Sequence, residues 1–117
     1  MALLAEQEKL IPLQAEVCAA LANPQRILML CALAERPYHV SSLAEHLGLS
    51  QPVASRHLKV LRERGLVQAE RKGAMVEYRL SDPRLIEALH LLRAVLEEHL
   101  TQQWRIALDA ADKAGAP

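Results

Sequence analysis

The residues best suited to chemistry in this chain lie between Ser50 and Lys72, and their types suit holding a polyanion rather than making or breaking bonds. Arg56, Lys59, Arg62, Arg71 and Lys72 supply positive charge for phosphates, while Gln51 and Ser55 carry the polar groups that read base edges. Counted round a helix from Gln51, Ser55 lies at about 40°, Lys59 at about 80° and Arg62 at about 20°, whereas Ala54, Leu58 and Leu61 fall between about 280° and 340° and face a core. The spacing predicts that Gln51 and Ser55 meet base edges, Gln suiting adenine, with Ser50 beside them as the helix cap. Arg56 and Lys59, on the flank of that face, are expected against phosphates. His57, at about 240°, stands nearer the buried side, so it is expected to pack or touch a phosphate rather than read a base. Simple solvation is the plainer account of each side chain taken singly; their arrangement points to DNA.

The charge balance hides this patch. The chain carries 14 Lys and Arg against 14 Asp and Glu, a net charge of zero. Residues 51–80 nonetheless hold seven bases against Glu63, Glu70 and Glu77, an excess of +4, between two flanks that are each −2. A basic middle is the electrostatic footprint of a small DNA-binding domain, and equally of an ordinary solvated helix face.

The elements that must position these residues can be read from caps and periodicity. Pro12 is expected to interrupt any long first helix, leaving one from about residue 12 with Leu13, Val17, Ala20 and Leu21 on a stripe. Asn23-Pro24 reads as an N-cap and first-turn proline, followed by a helix in which Ile27, Leu28, Leu30, Cys31, Leu33 and Ala34 suggest burial on most sides. Ser42-Leu43-Ala44-Glu45 fits a capping box, and Gly48 supplies a stop. Ser50 then caps a helix from Gln51 to about Arg64, ended by Gly65. Two short β-like runs, Leu66–Ala69 and Met75–Leu80, flank a turn over residues 70–74 whose tip is expected to carry Arg71 and Lys72 to the DNA backbone or minor groove. Keeping the hairpin's edge from aggregating is the alternative use of those two charges. Ser81-Asp82-Pro83 opens a last helix with Leu85, Leu89, Leu92, Leu96 and Leu100 in register. So small a domain cannot easily cover that stripe, so a second subunit is expected against it. Residues 110–117 are expected to fray.

Length and composition set the limits. At 117 residues the chain suits one compact domain, and 51% hydrophobic residues with no Phe imply a Leu- and Ala-rich, helical core. Two cysteines exclude a disulfide-rich scaffold, and no apolar run approaches a membrane span. A cytoplasmic protein without membrane contact is expected. No Ser/His/Asp or Cys/His grouping, phosphate-binding glycine loop or metal-ligand cluster stands out, so neither an enzyme nor a cofactor is expected.

Three runs carry a family resemblance: Ala22-Asn23-Pro24-Gln25-Arg26-Ile27-Leu28, Leu43-Ala44-Glu45-His46-Leu47-Gly48-Leu49-Ser50-Gln51, and Ser55-Arg56-His57-Leu58-Lys59-Val60-Leu61. With Gly65-Leu66-Val67 and Tyr78-Arg79-Leu80, the chain resembles the ArsR/SmtB family of bacterial winged-helix repressors over roughly residues 13–100. The resemblance implies a mainly α fold with a small β-hairpin wing, a single winged helix-turn-helix domain over residues 1–117. Its helix-turn-helix would span 40–64 and its wing 66–80, with dimerisation helices at 12–22 and 83–108. It also implies a homodimer whose two recognition helices enter successive major grooves of a near-palindromic operator, and release by an effector.

The effector signal is thinner. The stretch Tyr38-His39-Val40-Ser41-Ser42 lacks the cysteines of arsenic-sensing members, and Asp82-Pro83-Arg84 with Val95 and Glu98 lacks the histidines of zinc-sensing ones. His90 and His99 fall on opposite helix faces, and His90 with Glu97 makes too poor a donor set, so no metal site is expected. Cys31 matches one of the paired cysteines of thiol- and persulfide-sensing members, but the partner expected in the last helix is missing. Cys18 would have to replace it as a candidate thiol sensor; otherwise both are small buried hydrophobes. A metal-responsive repressor with a non-standard site, and a winged-helix protein-interaction module that does not bind DNA, stand as alternatives.

Overall fold

The computed structural model describes residues 2–115. Five helices and three short strands follow in the order α1 (Ala2–Leu21), α2 (Pro24–Glu35), β1 (Tyr38–His39), α3 (Val40–Leu47), α4 (Gln51–Glu63), β2 (Val67–Lys72), β3 (Met75–Leu80) and α5 (Arg84–Gly115). They form two compact units, Met1–Pro83 and Arg84–Pro117.

In the first unit the caps behave as their chemistry requires. Asn23 Oδ1 accepts from the backbone N–H groups of Gln25 and Arg26 at 2.9 and 3.2 Å, opening α2 ahead of its first-turn proline. Gly48 ends α3 with φ 67°, a left-handed conformation that side chains with a Cβ resist, and its N–H closes on Ala44 and Glu45 carbonyls. Ser50 Oγ accepts from Val53 N at 3.4 Å to open α4.

The core of this unit is a leucine cluster drawn from α2, α3 and α4. Met29, Leu30, Leu43, Leu58 and Leu61 are fully buried, with Ala44, Ala54, Leu66 and Val67 closing the gaps. Each leucine contributes about 1.5–3 kcal/mol through removal from water, which holds α3 and α4 together. The three-stranded antiparallel sheet has the order β1-β3-β2, with Tyr38 opposite Tyr78, and Val67 opposite Leu80.

Several expectations are corrected. Pro12 sits inside a continuous α1 and does not start it. A proline inside a helix costs about 3 kcal/mol, but Ala, Leu, Glu, Gln and Lys on its N-terminal side are strong helix formers. Helix α2 is not buried on most sides: Leu28 is 54% exposed and Ala34 is exposed, and the face carrying Met29, Leu30, Ala32 and Leu33 is the covered one. Ser42 does not cap α3, which begins at Val40; its Oγ lies inside the first turn and donates to His39 O at 3.0 Å. Strand β2 runs on to Lys72, so the turn narrows to Gly73-Ala74, with Gly73 at φ 64° as a two-residue hairpin turn demands.

The second unit is one 32-residue helix. It continues to Gly115 where fraying from residue 110 was expected, because Ala110, Ala111, Lys113 and Ala114 are good helix formers; Ala116 and Pro117 lie outside the described residues. Leu92, Leu96 and Leu100 are half or more exposed along its stripe, and Trp104 is 68% exposed. Among the described residues, no single helix is long and apolar enough to cross a membrane.

Candidate nucleic-acid interface

Helix α4 turns Ala54, Leu58 and Leu61 into the core, which forces Gln51, Ser55, Arg56, Lys59 and Arg62 outward; all five are exposed, as is Ser50 at the cap. Among the described residues Arg56, Lys59 and Arg62 enter no ion pair. Three other bases are matched: Arg64 with Glu16 at 3.1 Å, Lys72 with Glu77 at 3.0 Å, Arg79 with Glu70 at 3.8 Å. Helix α4 thus presents three cations with no ion-pair partner among the described residues.

That face is bounded on one side by the sheet. Ser55, Lys59, Arg62 and Glu63 of α4 line a cleft of about 470 Å³ with Tyr78 of β3. Tyr78 is a site residue that residue-type reasoning passed over, since it carries no charge. Its place is legible once β3 is paired, because Ala69 and Tyr78 are cross-strand partners and side chains alternate along each strand.

On the other side of α4 lies the N-terminal turn of α2. His57 is half-buried, as its angle predicts, and its Nε2 lies 2.7 Å from Gln25 Oε1, the imidazole N–H donating to the amide oxygen. Burial, then the nearby guanidinium groups of Arg26 and Arg56, hold its pKa below the usual 6.5. His57 thus ties α4 to α2. The separation of thirty-two positions between Gln25 and His57 hides this bond from any local reading of the sequence.

The wing cations are not at the tip. Arg71 and Lys72 are the last two residues of β2, and alternation sends them to opposite faces of the hairpin. Arg71, opposite Val76, shares the face of Ala69 and Tyr78, and its Nε donates to Gly73 O at 3.4 Å. Lys72 lies on the face of Gln68, Glu70 and Arg79, where Glu77 holds its ammonium and raises its pKa, first through their hydrogen bond and then through charge attraction.

The candidate thiols are Cys18, exposed on α1, and Cys31, half-buried on α2; no disulfide joins them. Neither is the fully buried hydrophobe that packing alone would make it. No group of three or more metal-ligating side chains occurs among the described residues.

Comparison with known proteins gives a consistent result. A profile for bacterial regulatory proteins of the arsR family matches residues 23–69, the stretch from the α2 cap into the first half of β2. The biofilm growth-associated repressor of Agrobacterium fabrum is 40% identical over 83 residues, covering 68% of this chain and 71% of that protein. The solution structure of a homodimeric winged helix-turn-helix DNA-binding domain from Mycobacterium bovis superposes with a TM-score of 0.73 at 32% identity, over 82% of this chain and 89% of that one. The transcriptional repressor BigR of Xylella fastidiosa superposes with a TM-score of 0.64 at 32% identity, over 75% and 93% of the two chains.

Proposed function

The chain belongs to the arsR family of bacterial regulatory proteins, and we propose that it works as a homodimeric repressor that presents α4 to the major groove and the β2-β3 wing to the flanking backbone. The observation that carries this reading is the set of exposed cations Arg56, Lys59 and Arg62, without ion-pair partners among the described residues, beside Gln51 and Ser55 on the outward face of α4. Gln51 and Ser55 read bases, with Ser50 beside them at the cap; Arg56, Lys59, Arg62 and Arg71 hold phosphates. His57 positions the recognition helix through Gln25, and Lys72, engaged by Glu77, contributes less. Exposed Leu10, Ile11 and Leu13 on α1 and Leu92, Leu96 and Leu100 on α5 supply the apolar surface that two copies bury, and two copies match a near-palindromic operator.

A gel shift with the chain's own promoter region tests the reading. Retardation at low salt, lost as salt rises, supports it; no shift at low salt favours a winged-helix module that binds protein. Release by an effector is the finer part of the proposal. A two-electron oxidant that joins Cys18 and Cys31 as a disulfide, or a persulfide donor whose S–S bonds break to leave a sulfur bridge between them as its thiol and hydrogen sulfide depart, changes how α1 lies on α2, since these helices pack together. DNA binding measured before and after oxidant, persulfide donor and a panel of metal ions, with Cys18→Ser and Cys31→Ser in parallel, separates the cases. Release by metals alone, retained in both serine variants, places the signal elsewhere.

A further inference from the structure

We propose, on the footing that α4 enters a DNA major groove, that the cleft between α4 and β3 seats one backbone phosphate, to which the Tyr78 hydroxyl donates a hydrogen bond beside Lys59 and Arg62. A phosphate in that position is gripped by the recognition helix and the wing at once. Ser55, Lys59 and Arg62 recur at i, i+4 and i+7, so they form one ridge of α4, and Tyr78 of β3 completes the lining. Ser55 borders the cleft one turn nearer the end of α4 that carries Gln51.

The cleft, of about 470 Å³, has room for a phosphodiester and its water. Lys59 and Arg62 border it, both exposed, and neither forms an ion pair among the described residues, not even with Glu63 on the same lining. Two cations against one carboxylate leave the cleft positive. The sheet adds to this by its alternation. One face of the hairpin carries Glu70 and Glu77, which engage Arg79 and Lys72, whereas the face of Tyr78 carries Arg71 and no acid. Tyr78 is half-buried, and its hydroxyl makes no hydrogen bond among the described residues. Packing on a sheet asks only for the ring, so the fold itself gives the hydroxyl nothing to do. A neutral O–H among cations is a donor that phosphate oxygens accept from, and it fixes the position of the anion without adding charge.

Removing the hydroxyl alone tests the seat. In the full chain Tyr78→Phe should weaken binding to mixed-sequence duplex by about tenfold, the worth of one hydrogen bond to a charged group. The slope of log K against log salt should not change, because no charge is lost, whereas Arg62→Gln should flatten it by about one. Single methylphosphonates, which are neutral, then locate the contact on the promoter fragment. One phosphate whose replacement weakens the wild-type chain should matter less both in Tyr78→Phe and in Arg62→Gln. Wild-type affinity in Tyr78→Phe, or sensitivity lost at two different phosphates, would remove the seat and leave the groove-binding reading standing. Failure of the wild-type chain to bind any duplex at low salt would remove both. The unaltered protein gives a second readout. The other tyrosine, Tyr38, is 4% exposed, so tetranitromethane should nitrate Tyr78 selectively. Duplex should protect Tyr78 at low salt, and added salt should restore the reaction. Nitration at full rate in the complex, or a Tyr78 that does not react in the free chain, would overturn the seat.

Discussion

Lys72 Nζ lies 3.0 Å from Glu77 Oε1 across the hairpin, while its neighbour Arg71 points to the other face, the one it shares with Tyr78. Two adjacent cations that look equivalent in the sequence therefore have different partners at hand. Arg71 keeps its charge on the side of the sheet whose Tyr78 lines the cleft with α4, and Lys72 spends part of its charge on a carboxylate.

It follows that Arg71→Ala should weaken binding to every duplex by about tenfold at moderate salt and flatten the salt dependence by about one phosphate. Lys72→Ala should change affinity by about twofold or less. Fluorescence anisotropy on a labelled duplex over a salt series measures both, and equal losses would show that the hairpin faces do not matter.

Gln51 lies at the first position of α4, exposed, with an amide suited to a base edge. Gln51→Ala should reduce discrimination at one base position by about 1–3 kcal/mol while leaving the salt slope unchanged. Competition between the promoter fragment and its single-base variants checks this. A uniform loss on every sequence would make Gln51 a backbone contact instead.

The fold should weaken in mild acid through His57. Its pKa is lowered in the folded chain by burial and by Arg26 and Arg56, so the unfolded chain binds this proton more readily. The stabilisation is fully present above the ordinary value of 6.5 and is lost as pH falls through the lower folded value. The facing groups are Gln25 and Arg26 from α2 and Arg56 from α4 itself, none of which can take up the proton in its place. Urea midpoints followed downward from neutral pH should decline, and His57→Gln should flatten that decline. A parallel decline in both proteins would assign the acid sensitivity to other groups.

Leu96 on α5 is half exposed, in register with Leu92 and Leu100. If two copies cover this stripe, Leu96→Glu places a charge in an apolar seam twice over, and each lost leucine forfeits about 1.5–3 kcal/mol of burial. The dissociation constant of the dimer should rise by about tenfold or more. Sedimentation equilibrium reads this directly, and an unchanged association state would show that another surface joins the copies.

What the sequence made legible was what local chemistry decides. Asn23, Ser50, Gly48 and Gly65 mark helix ends because caps and left-handed turns depend on a few adjacent residues. The outward face of α4 follows from its period alone. Strand β1 escaped notice because two residues carry no periodicity, and only pairing of Tyr38 with Tyr78 makes them a strand. Pro12 misled because a single strong breaker was weighed against no sum of the favourable residues before it. The bond from His57 to Gln25 and the separation of Arg71 from Lys72 depend on tertiary packing and on strand register, neither of which any window of neighbouring residues contains.

The chain has one tryptophan, Trp104, and it lies well along α5 with two thirds of its surface open to water. Nature has thereby placed the single tryptophan on the helix expected to meet another copy, and none on the groove-reading helix. Emission colour will report coverage of α5 without labelling, so subunit exchange can be followed on the unmodified polypeptide while a label on the duplex follows DNA release.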